Sequence, residues 1–318
     1  MRILICGGAG FIGSHFVQRR LASTTDELVV LDKLTYAGGR DTLAAAIADC
    51  PDGAARVTFV EGDIADPDVV GPLVAEADAV VNFAAETHVD RSILDSEPVL
   101  RSNVFGVQVL LSAIQAAGPD GLHRRLVQVS TDEVYGPRET GLQRETDPLS
   151  PRSPYAATKA AGDLLALAHH ATYGLDVVIT RGANTYGPRQ HPEKLVPLFV
   201  TNALVGKELP LYGDGLQVRD WLHVRDHAAA VCTALDRGVA GTVYNVPGGQ
   251  ERTNREVTGA ILERLRLAWD RVRYIDDRPG HDRRYAMDGA RMAELGWRPL
   301  IALDDGLTET VDWYSTHR

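Results

Sequence analysis

Short apolar runs alternate with helix-like segments through the first ~180 residues, which predicts an α/β fold: a doubly wound parallel sheet with a smaller C-terminal lobe. Three observations carry this. Several apolar runs are unbroken, as strands covered on both faces require. A glycine-rich turn, Gly7-Gly8-Ala9-Gly10-Phe11-Ile12-Gly13, directly follows the first run. From about Arg181 the texture shifts to shorter elements separated by Gly/Pro loops such as Tyr186-Gly187-Pro188 and Tyr212-Gly213-Asp214-Gly215. The expected division is therefore 1–180 and 181–318.

Strands are predicted at 2–6, 28–31, 57–60, 79–83, 126–129 and 177–180, and helices fill the gaps, notably 98–117 and 154–173. At 318 residues the chain can bury a large core, and 44% hydrophobic with 24% charged residues is an ordinary globular composition. A net charge of −10 argues against a general nucleic-acid binder or a polybasic membrane surface. No uninterrupted apolar run reaches the ~18 residues of a membrane span, and Met1 leads straight into a strand with no room for a signal peptide. Cys6, Cys50 and Cys232 are scattered and odd in number, so they read as reduced thiols of a cytoplasmic protein.

The glycines let the backbone turn tightly and approach a pyrophosphate at a helix N-terminus, where unpaired N–H groups favour anions. Asp32 ends the second strand 19 residues past Gly13, where a carboxylate accepts from both ribose hydroxyls of a dinucleotide. It would repel a 2′-phosphate, so NAD is favoured over NADP, with Lys33 next door softening that preference. Without this context the turn would be an ordinary strand–helix connection.

Chemistry concentrates in Ser130-Thr131-Asp132-Glu133-Val134-Tyr135-Gly136 and in Tyr155-Ala156-Ala157-Thr158-Lys159. A Tyr–Lys pair one helical turn apart can take a proton from an alcohol while hydride leaves for a nicotinamide. Tyr is a poor base at its usual pKa of about 10, and an adjacent ammonium and the positive ring lower it; about three pH units correspond to about 4 kcal/mol. Two adjacent carboxyls add a second acid/base couple, which eliminating water from a sugar requires. Alone, the pair would read as a solvated strand end or a capped first turn.

These motifs, with segments 7–15, 32–38, 84–92, 130–136, 186–188, 192–195, 217–221 and 277–285, resemble the extended short-chain dehydrogenase/reductase superfamily and, within its nucleotide-sugar branch, the dTDP-glucose 4,6-dehydratases. The resemblance implies a Rossmann fold, a lyase working through bound NAD, and a homodimer built on helices 98–117 and 154–173. It implies an NAD site of Gly7, Gly10, Phe11, Ile12, Gly13, Asp32, Lys33, Leu34, Thr35, Asp63, Ile64, Phe83, Ala84, Ala85, Glu86, Thr87, Ser102, Tyr155, Lys159 and Thr185. Thr131 would hydrogen-bond the sugar 4-oxygen, Glu133 would remove the C5 proton and Asp132 would protonate the departing 6-hydroxyl. Contacts to a nucleotide-sugar substrate, dTDP-glucose, are implied for Thr87, Thr131, Asn184, Lys194, Leu195, Pro210, Leu211, Tyr212, Arg219, Asn245, Asp277, Arg278, Pro279, Gly280 and His281.

Other readings stay open on the sequence. The same chemistry on UDP-glucose shares the Asp-Glu pair, whereas epimerases and decarboxylases of the superfamily usually lack Asp at position 132. A non-catalytic NAD-binding sensor or scaffold would be expected to have lost Tyr155 or Lys159. Arg219 suits a diphosphate through its planar fork, or else pairs with Asp220 or Asp226. Two departures stand out: Ala183-Asn184-Thr185 replaces the family's Ser-Asn-Asn, and Thr87 replaces a common Ser. His223 and His227 sit four apart without a third ligand, so no metal is expected.

Overall fold

The computed structural model describes residues 1–117 and 124–317. Seven strands form one parallel sheet: β1 (Arg2–Cys6), β2 (Glu27–Asp32), β3 (Val57–Glu61), β4 (Ala79–Asn82), β5 (Arg125–Thr131), β6 (Val177–Gly182) and β10 (Thr242–Val246). Their order, β3-β2-β1-β4-β5-β6-β10, reverses beside β1 and opens a crevice at the carboxyl ends of the strands. The predicted strands appear with ends shifted by one or two residues. The outermost strand, β10, comes from beyond position 181 and pairs with β6 from Thr242↔Val178 to Val246↔Gly182. Helix Val224–Arg237 returns with it to pack on helix Phe11–Ser23. The chain after 181 thus contributes to the sheet as well as to the smaller lobe.

The smaller lobe holds β7 (Asn184–Tyr186), β9 (Val218–His223) and β11 (Glu251–Thr253) in one sheet. In a second sheet β8 (Leu209–Tyr212) pairs with β12 (Val272–Ile275). Its core gathers Phe199, Trp221, Ile261 and Leu307, separate from the two clusters that sandwich the large sheet.

Helix Pro154–Tyr173 runs as predicted, started by Ser153, whose hydroxyl accepts from Ala156 N, and stopped by Gly174 in the left-handed region. The helix predicted at 98–117 runs over Glu97–Ala116 and is long and apolar enough to cross a membrane by length and composition. Half of that stretch is buried, against helices Pro67–Ala75 and Pro154–Tyr173. A π-turn at Arg101–Phe105 interrupts it, the local geometry that often marks a functional site. There the Asn103 amide donates to Glu86 O and Thr158 Oγ1, tying the helix to the loop after β4.

Candidate active site

The carboxyl ends of β1, β2, β4, β5 and β6 and the facing edge of the smaller lobe enclose one cavity of about 650 Å³. Gly7 lines it at φ +75°, and a side chain there would strike the backbone of Ala84. At Gly13 a Cβ would lie 2.3 Å from Gly7 O, so only glycine lets the helix close on the strand. Helix Phe11–Ser23 begins at Gly10 without a side-chain cap, leaving its first N–H groups for a ligand. Asp32 accepts from Ala9 N at 3.0 Å and Leu34 N at 2.9 Å, which fixes its carboxylate at the tip of β2. This cradle fits a dinucleotide. Lys33 is drawn aside to Ser102 Oγ (3.0 Å) and Glu86 (3.3 Å).

At the end of β5 the Thr131 hydroxyl accepts from Glu133 N and caps a single 3-10 turn, Asp132–Tyr135. The turn points both acids at the cavity. Asp132 is 3% exposed; its Oδ1 accepts from Thr131, while its buried Oδ2 has no partner. Burial first, then the Glu133 charge, pushes Asp132 up to about 8. Burial also raises Glu133, but Arg278, Arg219 and Lys194 pull it back, whereas Arg219 is the cation that opposes the rise of Asp132.

Tyr155 and Lys159 project from the first turns of their helix into the same cavity. Among the protein's own groups, the surroundings of Tyr155 act against the phenolate. Burial, with the charges of Glu133 and Asp132, pushes the phenol up, and the Lys159 ammonium points to Val129 O at 2.7 Å. Lys159 is itself lowered by burial to about 8.

On the substrate side Arg219 is 4% exposed and donates to the carbonyls of Val218 and Asp282. It pairs with neither Asp220 nor Asp226: the first accepts from Gly248 N and Gln250 N, the second from Leu300 N and Ile301 N. Among the described residues no carboxylate lies within ion-pair reach of Arg219, so a buried cation faces the cavity without a salt-bridge partner, the charges of Glu133 and Asp132 acting on it from farther off. Such a site attracts an anion.

Asn184, Thr185, Lys194, Leu195, Pro210, Leu211, Tyr212, Arg278 and His281 line the cavity, as do Thr35, Asp63, Ile64, Phe83, Ala84, Ala85, Thr87 and Ser102. Six of the residues expected at the site do not. Leu34 and Glu86 flank it through Asp32 and Lys33. Asp277 accepts from Gln217 and pairs with His281 at 2.5 Å, so with Pro279 and Gly280 it belongs to the loop that presents Arg278 and His281. Asn245 is the clear correction. It sits within β10, fully buried, accepting from Tyr135 OH and donating to Gln143 O. Besides Asn184, the cavity is lined by Asn254, first residue of a helix whose capping box, Thr253 with Glu256, is visible in the sequence. Asp90, His88, His191 and Glu193 also line it and were not anticipated. The hydroxyl of Thr185 lies 2.7 Å from His227 Nδ1. No group of three metal-ligating side chains occurs among the described residues.

Comparison with known proteins agrees with this geometry. A dTDP-glucose 4,6-dehydratase of Streptomyces antibioticus is 52% identical over 327 residues, covering 100% of this chain and 93% of that protein. The crystal structure of DesIV, a dTDP-glucose 4,6-dehydratase from Streptomyces venezuelae with NAD and dTDP bound, superposes with a TM-score of 0.94. It is 52% identical, covering 100% of this chain and 98% of that one. The NAD complex of a Thermus thermophilus UDP-glucose 4-epimerase is 35% identical with a TM-score of 0.89, covering 99% of each. The model of the GDP-mannose 4,6 dehydratase family matches residues 4–310, and this chain belongs to that family.

Proposed function

We propose that this protein is an NAD-dependent dTDP-glucose 4,6-dehydratase, converting dTDP-glucose to dTDP-4-keto-6-deoxyglucose and water. The observation that carries the reading is the meeting, in one cavity, of the Asp132–Glu133 pair with Tyr155 and Lys159. An epimerase needs only the second pair.

Gly7, Gly10, Gly13 and the free N–H groups above them suit the pyrophosphate of NAD, and Asp32 its ribose. When bound, NAD accepts the hydride of the sugar C4 and returns it to C6. Tyr155 takes the proton of the 4-hydroxyl, with Thr131 beside that oxygen. The 4-ketone acidifies the C5 proton, which Glu133 removes and, after exchange with solvent, returns to C5 when C6 receives the hydride. Asp132, protonated near neutrality, gives its proton to the departing 6-hydroxyl, which leaves as water. The surroundings of the two carboxyls support this division: burial raises both, but Arg278, Arg219 and Lys194 oppose the rise at Glu133, whereas Asp132 has Arg219 and an unpartnered oxygen. Arg219 and Arg278 serve the diphosphate.

Incubation with dTDP-glucose in heavy water is expected to give a product one water lighter, with one solvent deuterium at C5 and the migrated hydrogen at C6, read by mass and NMR. Unchanged dTDP-glucose, or conversion of UDP-glucose alone, would reject the reading. Denatured protein is expected to release NAD rather than its 2′-phosphate form. Asp32→Ala weakens NAD by about 1.5–3 kcal/mol, the worth of hydrogen bonds to a charged group, as measured by calorimetric titration.

The cytoplasm suits three free thiols and a nucleotide-sugar substrate. A homodimer is favoured by exposed apolar side chains on the paired helices, Leu100, Phe105 and Leu164 among them, each at least half exposed.

A further inference from the structure

The helix that carries Tyr155 and Lys159 holds another buried charge that the reaction does not use. Asp163 follows Lys159 by four residues, on the same face. It is 0% exposed, and Arg181 on the neighbouring β6 is 2% exposed. Arg181 Nε donates to Asp163 Oδ2 at 2.9 Å, and the guanidinium lies 4.7 Å over the Tyr135 ring. The pair is incompletely satisfied: neither Asp163 Oδ1 nor Arg181 Nη1 makes a hydrogen bond. Lys159 Nζ, in turn, bonds to a neutral carbonyl, Val129 O. Two cations and one anion are thus buried together at one end of the sheet, where each charge shifts the cost of the others.

We propose that Asp163 and Arg181 set the charge of Lys159, the carboxylate holding the ammonium charged and Arg181 limiting how strongly it does so. The inference rests on the reading of Tyr155 and Lys159 as the hydride-step pair. Asp163 is a positioning residue here, since it touches neither substrate nor cofactor. Its field opposes the burial that brings Lys159 down to about 8. Tyr155, Asp132 and Glu133 line the same cavity as Lys159, and Arg181 on β6 is paired with Asp163. Ser102 and Asn103, on the π-turn packed against this helix, are neutral. Burial pushes the Asp163 carboxyl up and the Arg181 guanidinium beside it pulls it back; unlike Asp132 and Glu133, Asp163 takes no part in the proton transfers.

A purely structural ion pair and a tuning pair predict different results. Loss of either member of a structural pair lowers stability and leaves the lysine titration where it was. A tuning pair moves that titration in opposite directions. The experiment titrates Lys159 Nζ by NMR in cofactor-free protein labelled with [15N]lysine, assigned by Lys159→Met. Asp163→Asn leaves Arg181 unbalanced and is expected to lower the Lys159 midpoint by about one pH unit or more. Arg181→Met frees the whole carboxylate field and is expected to raise it. Asp163→Asn with Arg181→Met, neutral at both positions, is expected to lower it by less than Asp163→Asn alone, and serves where a single variant does not fold. A midpoint unmoved in these variants, or moved the same way by both single changes, overturns the proposal. The alkaline limb of cofactor reduction by dTDP-glucose is expected to follow the NMR midpoint. Moved midpoints with an unmoved limb would leave the tuning in place and overturn the hydride-step role of Lys159 instead.

Discussion

Tyr155→Phe abolishes reduction of bound NAD by dTDP-glucose, and no 4-keto product forms. The 4-hydroxyl proton has to leave as the C4 hydride does, and in this cavity the phenol is the group held beside Thr131 for that transfer. Loss of a general base typically costs ~10²–10⁴ in rate. Water cannot substitute readily at a side chain only 8% exposed. The variant keeps the aromatic ring and its packing, so NAD binding by calorimetry should match wild type within a factor of about two, less than one hydrogen bond is worth. The near-ultraviolet absorbance of the reduced cofactor after rapid mixing is the measurement. A normal burst of that absorbance would remove Tyr155 from the hydride step and leave Thr131 or Glu133 as the base.

What the sequence made legible was whatever depends on neighbours in the chain. The glycine turn and Asp32 are fixed by spacing across one strand–helix–strand unit, and they lie together in the fold. The acid pair and the Tyr–Lys pair each span a single turn, so their projection into a common cavity follows once β5 and helix Pro154–Tyr173 are adjacent. The smaller lobe was less readable because its cavity residues come from short elements far apart in sequence. Asn245 lies in Thr242-Val243-Tyr244-Asn245-Val246, a run that reads as a buried strand, and its amide is consumed there by Tyr135 and Gln143. Asn254 opens a helix immediately after a capping threonine, a position from which a side chain reaches solvent or a ligand.

Electrostatics was the part hidden from sequence. Four residues of separation suggested that Lys159 would depress Tyr155, but both are buried, and burial penalises their charged forms independently. The carboxylate charges of Glu133 and Asp132 act on the tyrosine in the opposite direction. Likewise the spacing of Asp132 and Glu133 carries no information on which holds the proton. Burial raises both, and what differs between them is the opposing charge of Arg278 and Lys194 at Glu133, one beyond β12 and the other beyond β7.

This asymmetry makes the carboxyl pair the sharpest test of dehydration. Oxidation at C4 uses Tyr155 and Lys159, whereas elimination across C5 and C6 uses Glu133 and Asp132, so the two half-reactions should separate by mutation. Asp132→Asn or Glu133→Gln is expected to slow product formation by ~10²–10⁴. In both variants dTDP-glucose should still reduce the cofactor, and because the onward step is blocked the reduced form accumulates as a lasting absorbance. The pH profiles should differ as well. Asp132 is raised to about 8, so as the acid it works below that value and is lost as pH rises through it. Wild-type elimination should therefore fall on the alkaline side, and Asp132→Asn should remove that fall together with most of the rate. Glu133 must be ionised to accept the C5 proton, so Glu133→Gln removes the acid-side fall instead. The two carboxyls titrate as a coupled pair, and the profiles report the pair before they report either member. If Glu133→Gln dehydrated dTDP-glucose at a near-normal rate, the acids would be structural and the cavity would hold an oxidation site alone, with no means to expel the 6-hydroxyl.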